Sequence, residues 1–229
     1  MASGLSNDCG FPLGGVTEFF DQIEAQDLRV NSLIIVHDGR KVIEVYRRPY
    51  KRRHPQLLFS LSNLFLSAAV GIACDRGFFD LEDRVVSFFP DKLTRDVSPY
   101  QYEMRFRHLL TMNAGHHDHN FHVIHPQADW VRAFLAIPPT HRPGTHYCYS
   151  KHVSHVLAAI VERTTGKGLV DFLMPRLFEP LGITNVQWET SPLGIAAGGM
   201  GLSVPTEGVA RFGQLCFVAP AERVVVAVT

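Results

Sequence analysis

The chain has 229 residues, 46% hydrophobic and 19% charged, and its 22 Lys plus Arg balance 22 Asp plus Glu to a formal net charge of zero. That length and composition suit one substantial globular domain or two small interleaved ones, and the charge balance removes any electrostatic case for nucleic acid, an anionic membrane surface or a polyanionic substrate. No stretch is apolar for long enough to span a bilayer, and the opening MASGLSNDCGFPLGG has neither a basic start nor a continuous apolar run, so no secretory signal is expected.

Apolar residues recur at helical intervals from Val16 to Ala25 (VTEFFDQIEA), which predicts a first surface helix. Ser32–His37, the turn Asp38-Gly39, and Lys41–Tyr46 make the clearest hairpin of the chain, because Gly at the second turn position relieves the positive backbone dihedral a tight hairpin needs. The basic run Arg47 to His54 is expected to be a solvated loop. Ser60 to Arg76 (SLSNLFLSAAVGIACDR) is too long and apolar for a strand and predicts a buried helix with Gly77 as its cap. A surface segment follows from Asp80, with Pro90 as a stop signal. Further helices are predicted from Phe106 to Met112, from about Ser154 to Thr164, and from Gly168 to Phe178. Gly194 to Ser203 is too glycine-rich for a regular helix, Thr206 to Leu215 suits one, and Glu222 to Thr229 predicts a strand.

The expected architecture is therefore α/β of the α+β type. An antiparallel sheet draws on both chain ends, about 16–59 and 194–229, and a mainly helical part of about 60–190 is inserted between them, all in one domain. Cys9, Cys74, Cys148 and Cys216 are far apart and form no Cys-x-x-Cys, so free thiols and a cytoplasmic location are expected.

Ser60 opens the predicted buried helix. A serine in that first turn lies beside unpaired backbone N–H groups that favour negative charge developing on an attacked carbonyl. The same position suits a helix-capping serine, Ser60 or Ser62, and the residues alone leave both readings open.

The segment FSLSNLFLSAAVGIACDRGFFDLEDRVVSFFPD resembles the nucleophile helix of the serine beta-lactamase and penicillin-binding-protein-like family, whose relatives include class C beta-lactamases, D-alanyl-D-alanine carboxypeptidases and esterases. FRHLLTMNAGH, RPGTHYCYSKHVSHVLAAIVERTTGKGLVDFLMPRLFEPLGITNVQW and GGMGLSVPTEGVARFGQL resemble later segments of that family in the same order, so the likeness covers nearly the whole chain. It implies a serine-hydrolase-like protein that transfers or hydrolyses an ester, amide or beta-lactam-like acyl group through Ser60, with Tyr149 assisting proton transfer.

Three departures bear on that activity. The family's lysine, three residues after the serine and one helical turn along, is Asn63 here, and an amide has no titratable proton with which to act as a base. Tyr149-Ser150-Lys151 places a lysine where the family carries Asn or Ser. Lys151 is thus either a relocated partner for Ser60 or an exposed lysine beside a loop. No Lys-Thr-Gly-like triplet follows Ser203, and ARFGQL runs almost directly into CFVAPAERVVVAVT, as if an internal block were missing. Losing one oxyanion donor typically costs about 3 kcal/mol, and an incomplete sheet would leave an unpaired edge open to self-association. The resemblance therefore implies activity that is weak or lost, and the alternatives are a non-catalytic binding relative or a truncated product.

Gly115 to His122 (GHHDHNFH), with His125 beyond, holds imidazoles enough to bind a transition metal, but there is no His-Glu-x-x-His, and His116 and His117 are neighbours on a predicted loop. A polar loop at the mouth of the cleft is expected, with Asp118 and His119 available to a substrate and no metal site. Gly198-Gly199-Met200-Gly201 lacks the strand and helix of a nucleotide-binding turn, and no cofactor is expected.

Overall fold

A computed structural model describes residues 14–216 and 224–229. The first elements in chain order are α1 (Gly14–Ala25), β1 (Ser32–His37), β2 (Arg40–Tyr46), β3 (Pro55–Leu57), α2 (Ser62–Asp75), α3 (Val85–Phe88), α4 (Pro99–Glu103) and α5 (Phe106–Leu110). There follow α6 (Phe121–Ile124), α7 (Trp130–Leu135), α8 (Lys151–Thr165), α9 (Leu169–Leu173), β4 (Gln187–Trp188), β5 (Leu202–Pro205), α10 (Thr206–Cys216) and β6 (Val224–Val228). Cys9 and the start of the last predicted strand, Glu222 and Arg223, lie outside the described residues. No described helix is long and apolar enough to cross a membrane.

The chain falls into two compact units. Of the described residues, one takes in those of 14–57, 177–186, 203–216 and 224–229, and the other Leu58–Arg176 and Gln187–Leu202. Relative to the division expected from the sequence, 177–186 joins the sheet unit and 194–202 the helical one.

In the sheet unit the strand order is β2-β1-β6, antiparallel throughout, so the two ends of the chain do share one sheet. Asp38 (φ 50) and Gly39 (φ 72) both take the left-handed conformation that the hairpin's twist demands. The SLIIV run of β1 is apolar without alternation because β1 is the central strand, covered on both faces. Leu33 and Ile35 pack with Val16 of α1 and with Val42 and Ile43, while Ile34 and Val36 pack with Ala210 of α10 and Ala227 of β6. The basic run is mostly solvated, but Arg52 meets Glu44 at 3.0 Å and Glu207 at 3.3 Å. With its side chain 58% exposed, this is a surface cluster of modest energetic value. β3 pairs antiparallel with β5, Pro55 opposite Pro205 and Leu57 opposite Ser203.

The helical unit is built around α8. Every residue from His152 to Val161 is buried, and α2, α5, α7 and α9 all pack against this helix. The buried face of α2 (Phe65, Leu66, Ala69, Val70, Ala73) and the stacked pair Phe79 and Phe106, with ring centroids 4.5 Å apart, supply much of the apolar interior. The single helix predicted from Gly168 to Phe178 divides into α9 and a π-helical turn, Met174–Phe178. Pro175 interrupts it there, having no N–H for the α-helical ladder. Pro90, predicted as a stop, does follow the end of α3, and it also opens the 3-10 turn Pro90–Lys92, where its missing N–H costs nothing.

The segment Ala196–Gly199 is sewn onto α8. His155 Nδ1 lies 2.9 Å from Ala196 O, and the Ala196 and Leu169 N–H groups both donate to Glu162 Oε1, at 3.1 and 3.0 Å. A Cβ on Gly198 would stand 2.4 Å from Ser154 O, and one on Gly199 2.6 Å from Ser154 Oγ, so this contact admits only glycine. Gly198→Ala, at φ +75 against fixed backbone, is expected to destabilise by about 2 kcal/mol or more. Gly194→Ala, at φ +81 in open space, should carry only the left-handed backbone cost of about 1 kcal/mol. Urea unfolding of the two variants checks the difference.

His152 and His155, 0% and 1% exposed, sit among apolar side chains, and burial lowers both imidazoles to about 4. Neighbouring His155 and His125 lower His152 further. The folded state thus keeps both rings neutral, whereas the unfolded chain protonates them near the ordinary value of about 6.5. Their contribution to stability is therefore full above about pH 6.5 and is lost as the pH drops toward 4. The urea midpoint should follow that course, and His152→Gln/His155→Gln should reduce the slope in this window.

Candidate active site

The entry to α2 is a short irregular turn, and it settles what Ser60 and Ser62 do. Leu58 N donates to Leu202 O at 2.8 Å, Phe59 then takes φ 46, and Phe59–Leu61 forms a 3-10 turn before α2 begins. A non-glycine residue in the left-handed region costs free energy and persists only where its surroundings hold it, a pattern typical of functional turns. Ser62 is part of what holds it. Its fully buried hydroxyl donates to Phe59 O at 2.5 Å and accepts from Leu202 N at 3.2 Å. Ser60 has no such task. Neither the 3-10 turn nor α2 has a side-chain cap, and Ser60 is exposed, with no hydrogen bond to its hydroxyl among the described residues. The capping alternative for Ser60 is therefore absent from the structure.

Asn63 sits one turn along, on the side of Ser60. Its Nδ2 lies 3.1 Å from Ser60 O, 3.2 Å from Tyr149 Oη and 3.4 Å from Gly199 O, and its Oδ1 accepts from Ser154 Oγ at 2.7 Å. One amide thus ties together the backbone of the candidate nucleophile, the hydroxyl of Tyr149, the glycine turn and α8. The sequence reading treated Asn63 only as the loss of a lysine and missed this joining role. Nothing in linear spacing foreshadows a bond between residues 86 positions apart.

Tyr149 is 41% exposed and stands just before α8, which starts at Lys151, three residues earlier than the sequence predicts. Ser150, the residue ahead of Lys151, has its hydroxyl on His119 O at 3.3 Å. The Lys151 ammonium lies 5.3 Å from the centre of the Phe121 ring, a cation–π distance. Among the described residues no hydrogen bond joins it to Ser60 or Tyr149. Tyr149 and Lys151 do line one cavity of about 190 Å³ together with His119, Phe121 and His122. The structure therefore links Ser60 and Tyr149 through Asn63, and places Lys151 beside Tyr149 as the cation of that cavity wall.

Comparison with known proteins gives this arrangement its context. Residues 16–213 match the beta-lactamase family profile. The lovastatin esterase of Penicillium rubens is 24% identical over 176 residues, 65% of this chain and 43% of the esterase. Among solved structures, a putative 6-aminohexanoate-dimer hydrolase from Bacillus anthracis superposes with a TM-score of 0.71 at 19% identity, covering 92% of this chain and 57% of that one. EstCE1, a hydrolase with promiscuous acyltransferase activity, superposes with a TM-score of 0.71 at 17% identity, covering 88% and 71%. At these identities the two structures establish the fold, and the chain spans less than half the length of the curated esterase it matches. With the family profile running from α1 through most of α10, the chain belongs to the beta-lactamase family.

Proposed function

We propose that this protein is a slow serine acyl hydrolase or acyltransferase acting on a small ester, amide or beta-lactam-like substrate, with Ser60 as nucleophile and Tyr149 as proton relay. The observation that carries the reading is the exposed, uncapped hydroxyl of Ser60 directly after the left-handed Phe59, with Asn63 holding both the Ser60 carbonyl and the Tyr149 hydroxyl. In the acylation step Ser60 Oγ adds to the carbonyl carbon and its proton passes to Tyr149 Oη, while the phenol's own proton moves to the departing alkoxide or amine. Water then reverses the relay to free the acid. Asn63 cannot take up a proton, so it positions and does not activate, and the rate is correspondingly low. Lys151 supplies positive charge to the cavity and is suited to a carboxylate on the substrate.

Intact-mass analysis after treatment with a fluorophosphonate tests the reading. One adduct per chain is expected, absent in Ser60→Ala, slowed about a hundredfold in Tyr149→Phe, and accelerated in Asn63→Lys. Lys151→Ala should leave labelling by a neutral probe unchanged and raise KM for a carboxylate-bearing ester. A folded protein that forms no adduct overturns the proposal. A second reading, a non-catalytic binding protein, is favoured by the full engagement of Asn63 where an activating base would stand. It predicts ester or penicillin binding by calorimetry with no covalent mass shift.

A further inference from the structure

Three imidazoles from two separate loops meet on the surface of the helical unit. His117, His141 and His146 each bring a ring nitrogen to within 4.8 Å of the others. The rings of His141 and His146 are nearly parallel, with centroids 4.2 Å apart and planes 13° from one another, and His117 stands 6.0 Å from each. Among the described residues none of the three is in an ion pair.

The backbone is built to bring them together. Thr140 N and His141 N both donate to Gly115 O, at 3.0 and 2.9 Å, Gly144 N donates to Asn113 O at 2.8 Å, and Cys148 N donates to Met112 O at 2.9 Å. These four bonds stitch the loop carrying His117 to the loop carrying His141 and His146. Gly115 takes φ +89, and a Cβ there would stand 2.3 Å from His141 O, so glycine is what allows the two loops to come this close. His141 and His146 flank the turn through Pro143 and Gly144, which folds them onto one side.

We propose that His117, His141 and His146 form a binding site for a divalent transition metal, Zn²⁺ in the first instance. Imidazoles without a thiolate or carboxylate select borderline ions of this class, and three of them leave a fourth tetrahedral position for water or an anionic oxygen ligand. Metal–nitrogen bonds of about 2.0–2.1 Å need the nitrogens about 3.3 Å apart, a closure of at most about 1.5 Å that the part-exposed rings can make by rotating about their side-chain bonds. His141 is already oriented for it. Its Nδ1 lies 3.1 Å from Thr140 Oγ1, and in the tautomer that donates this bond Nε2 presents a free lone pair. Metal binding would also brace the loop that leads, three residues after His146, into Tyr149.

The test is calorimetric titration of the whole chain with Zn²⁺, together with the visible spectrum after Co²⁺ loading. One ion per chain and the intense d–d bands of tetrahedral Co²⁺ are expected. His141→Ala and His146→Ala should each weaken binding at least tenfold, Thr140→Ala about tenfold through loss of the orienting bond, and His119→Ala/His122→Ala not at all. Circular dichroism of each variant, with His141→Gln and His146→Gln as milder changes, separates lost binding from lost folding. Absence of stoichiometric binding, or binding that the His117, His141 and His146 substitutions leave intact in folded protein, overturns the proposal. The readout needs no enzymatic turnover, so it stands or falls independently of the acyl-transfer reading.

Discussion

Helix α8 cannot face water, and its unit is organised by that constraint. Ten consecutive residues, His152 to Val161, are buried, a stretch that turns through the full circumference of a helix. Such a helix must be covered all round, and α2, α5, α7, α9 and the Ala196–Gly199 segment do so. The covering has chemical consequences because α8 is not uniformly apolar. Ser154, His155 and Glu162 lie among its covered or half-covered residues, and each has a specific partner: Asn63 for Ser154, the carbonyl of Ala196 for His155 Nδ1, and two backbone N–H groups for Glu162. Burying these groups without partners would cost more than their bonds gain, which is why the glycine turn has to approach so closely.

The candidate active site is a by-product of that packing. Asn63 reaches Ser154 with one end of its amide and Ser60 and Tyr149 with the other, so one side chain joins the start of α2 to the start of α8. A lysine in this place would supply a titratable amine but could not accept from Ser154. The exchange of lysine for asparagine therefore replaces an activating group with a structural one, while leaving a serine hydroxyl exposed on a strained turn. Ser62, two residues on, is fully absorbed in holding that turn. Two serines in the same motif thus have opposite fates, fixed by which way each faces at the helix entry.

The histidines divide along the same line between interior and surface. His152 and His155 are interior groups, kept neutral because burial strips the charged form of its hydration, a loss that outweighs the pull of Asp129 on His155. His117, His141 and His146 remain solvent-accessible and gather on loops clamped together by backbone hydrogen bonds. Chain order does not separate the two groups, since His146 and His152 are only six residues apart. Burial does, because one precedes the start of α8 and the other lies inside it.

Much of the fold was legible because local rules and global structure agree. The Asp38-Gly39 hairpin, the apolar α2 and the strand character of the last residues all follow from patterns a few residues long, and the order of motifs identified the family. Short-range errors arose where a neighbouring element overruled propensity, as at Lys151, which joins α8 despite its charge, and at Pro175, which converts a predicted helix into a π turn. What no reading of the chain could supply was the convergence of distant side chains: Asn63 with Tyr149 and Ser154, and His117 with His141 and His146. Backbone conformation is governed by residues near in sequence, so the sequence by itself determined the elements and their family. Contacts between those elements depend on how their buried faces pack in three dimensions, and only the tertiary structure decided which serine is free, what Asn63 does, and which imidazoles meet.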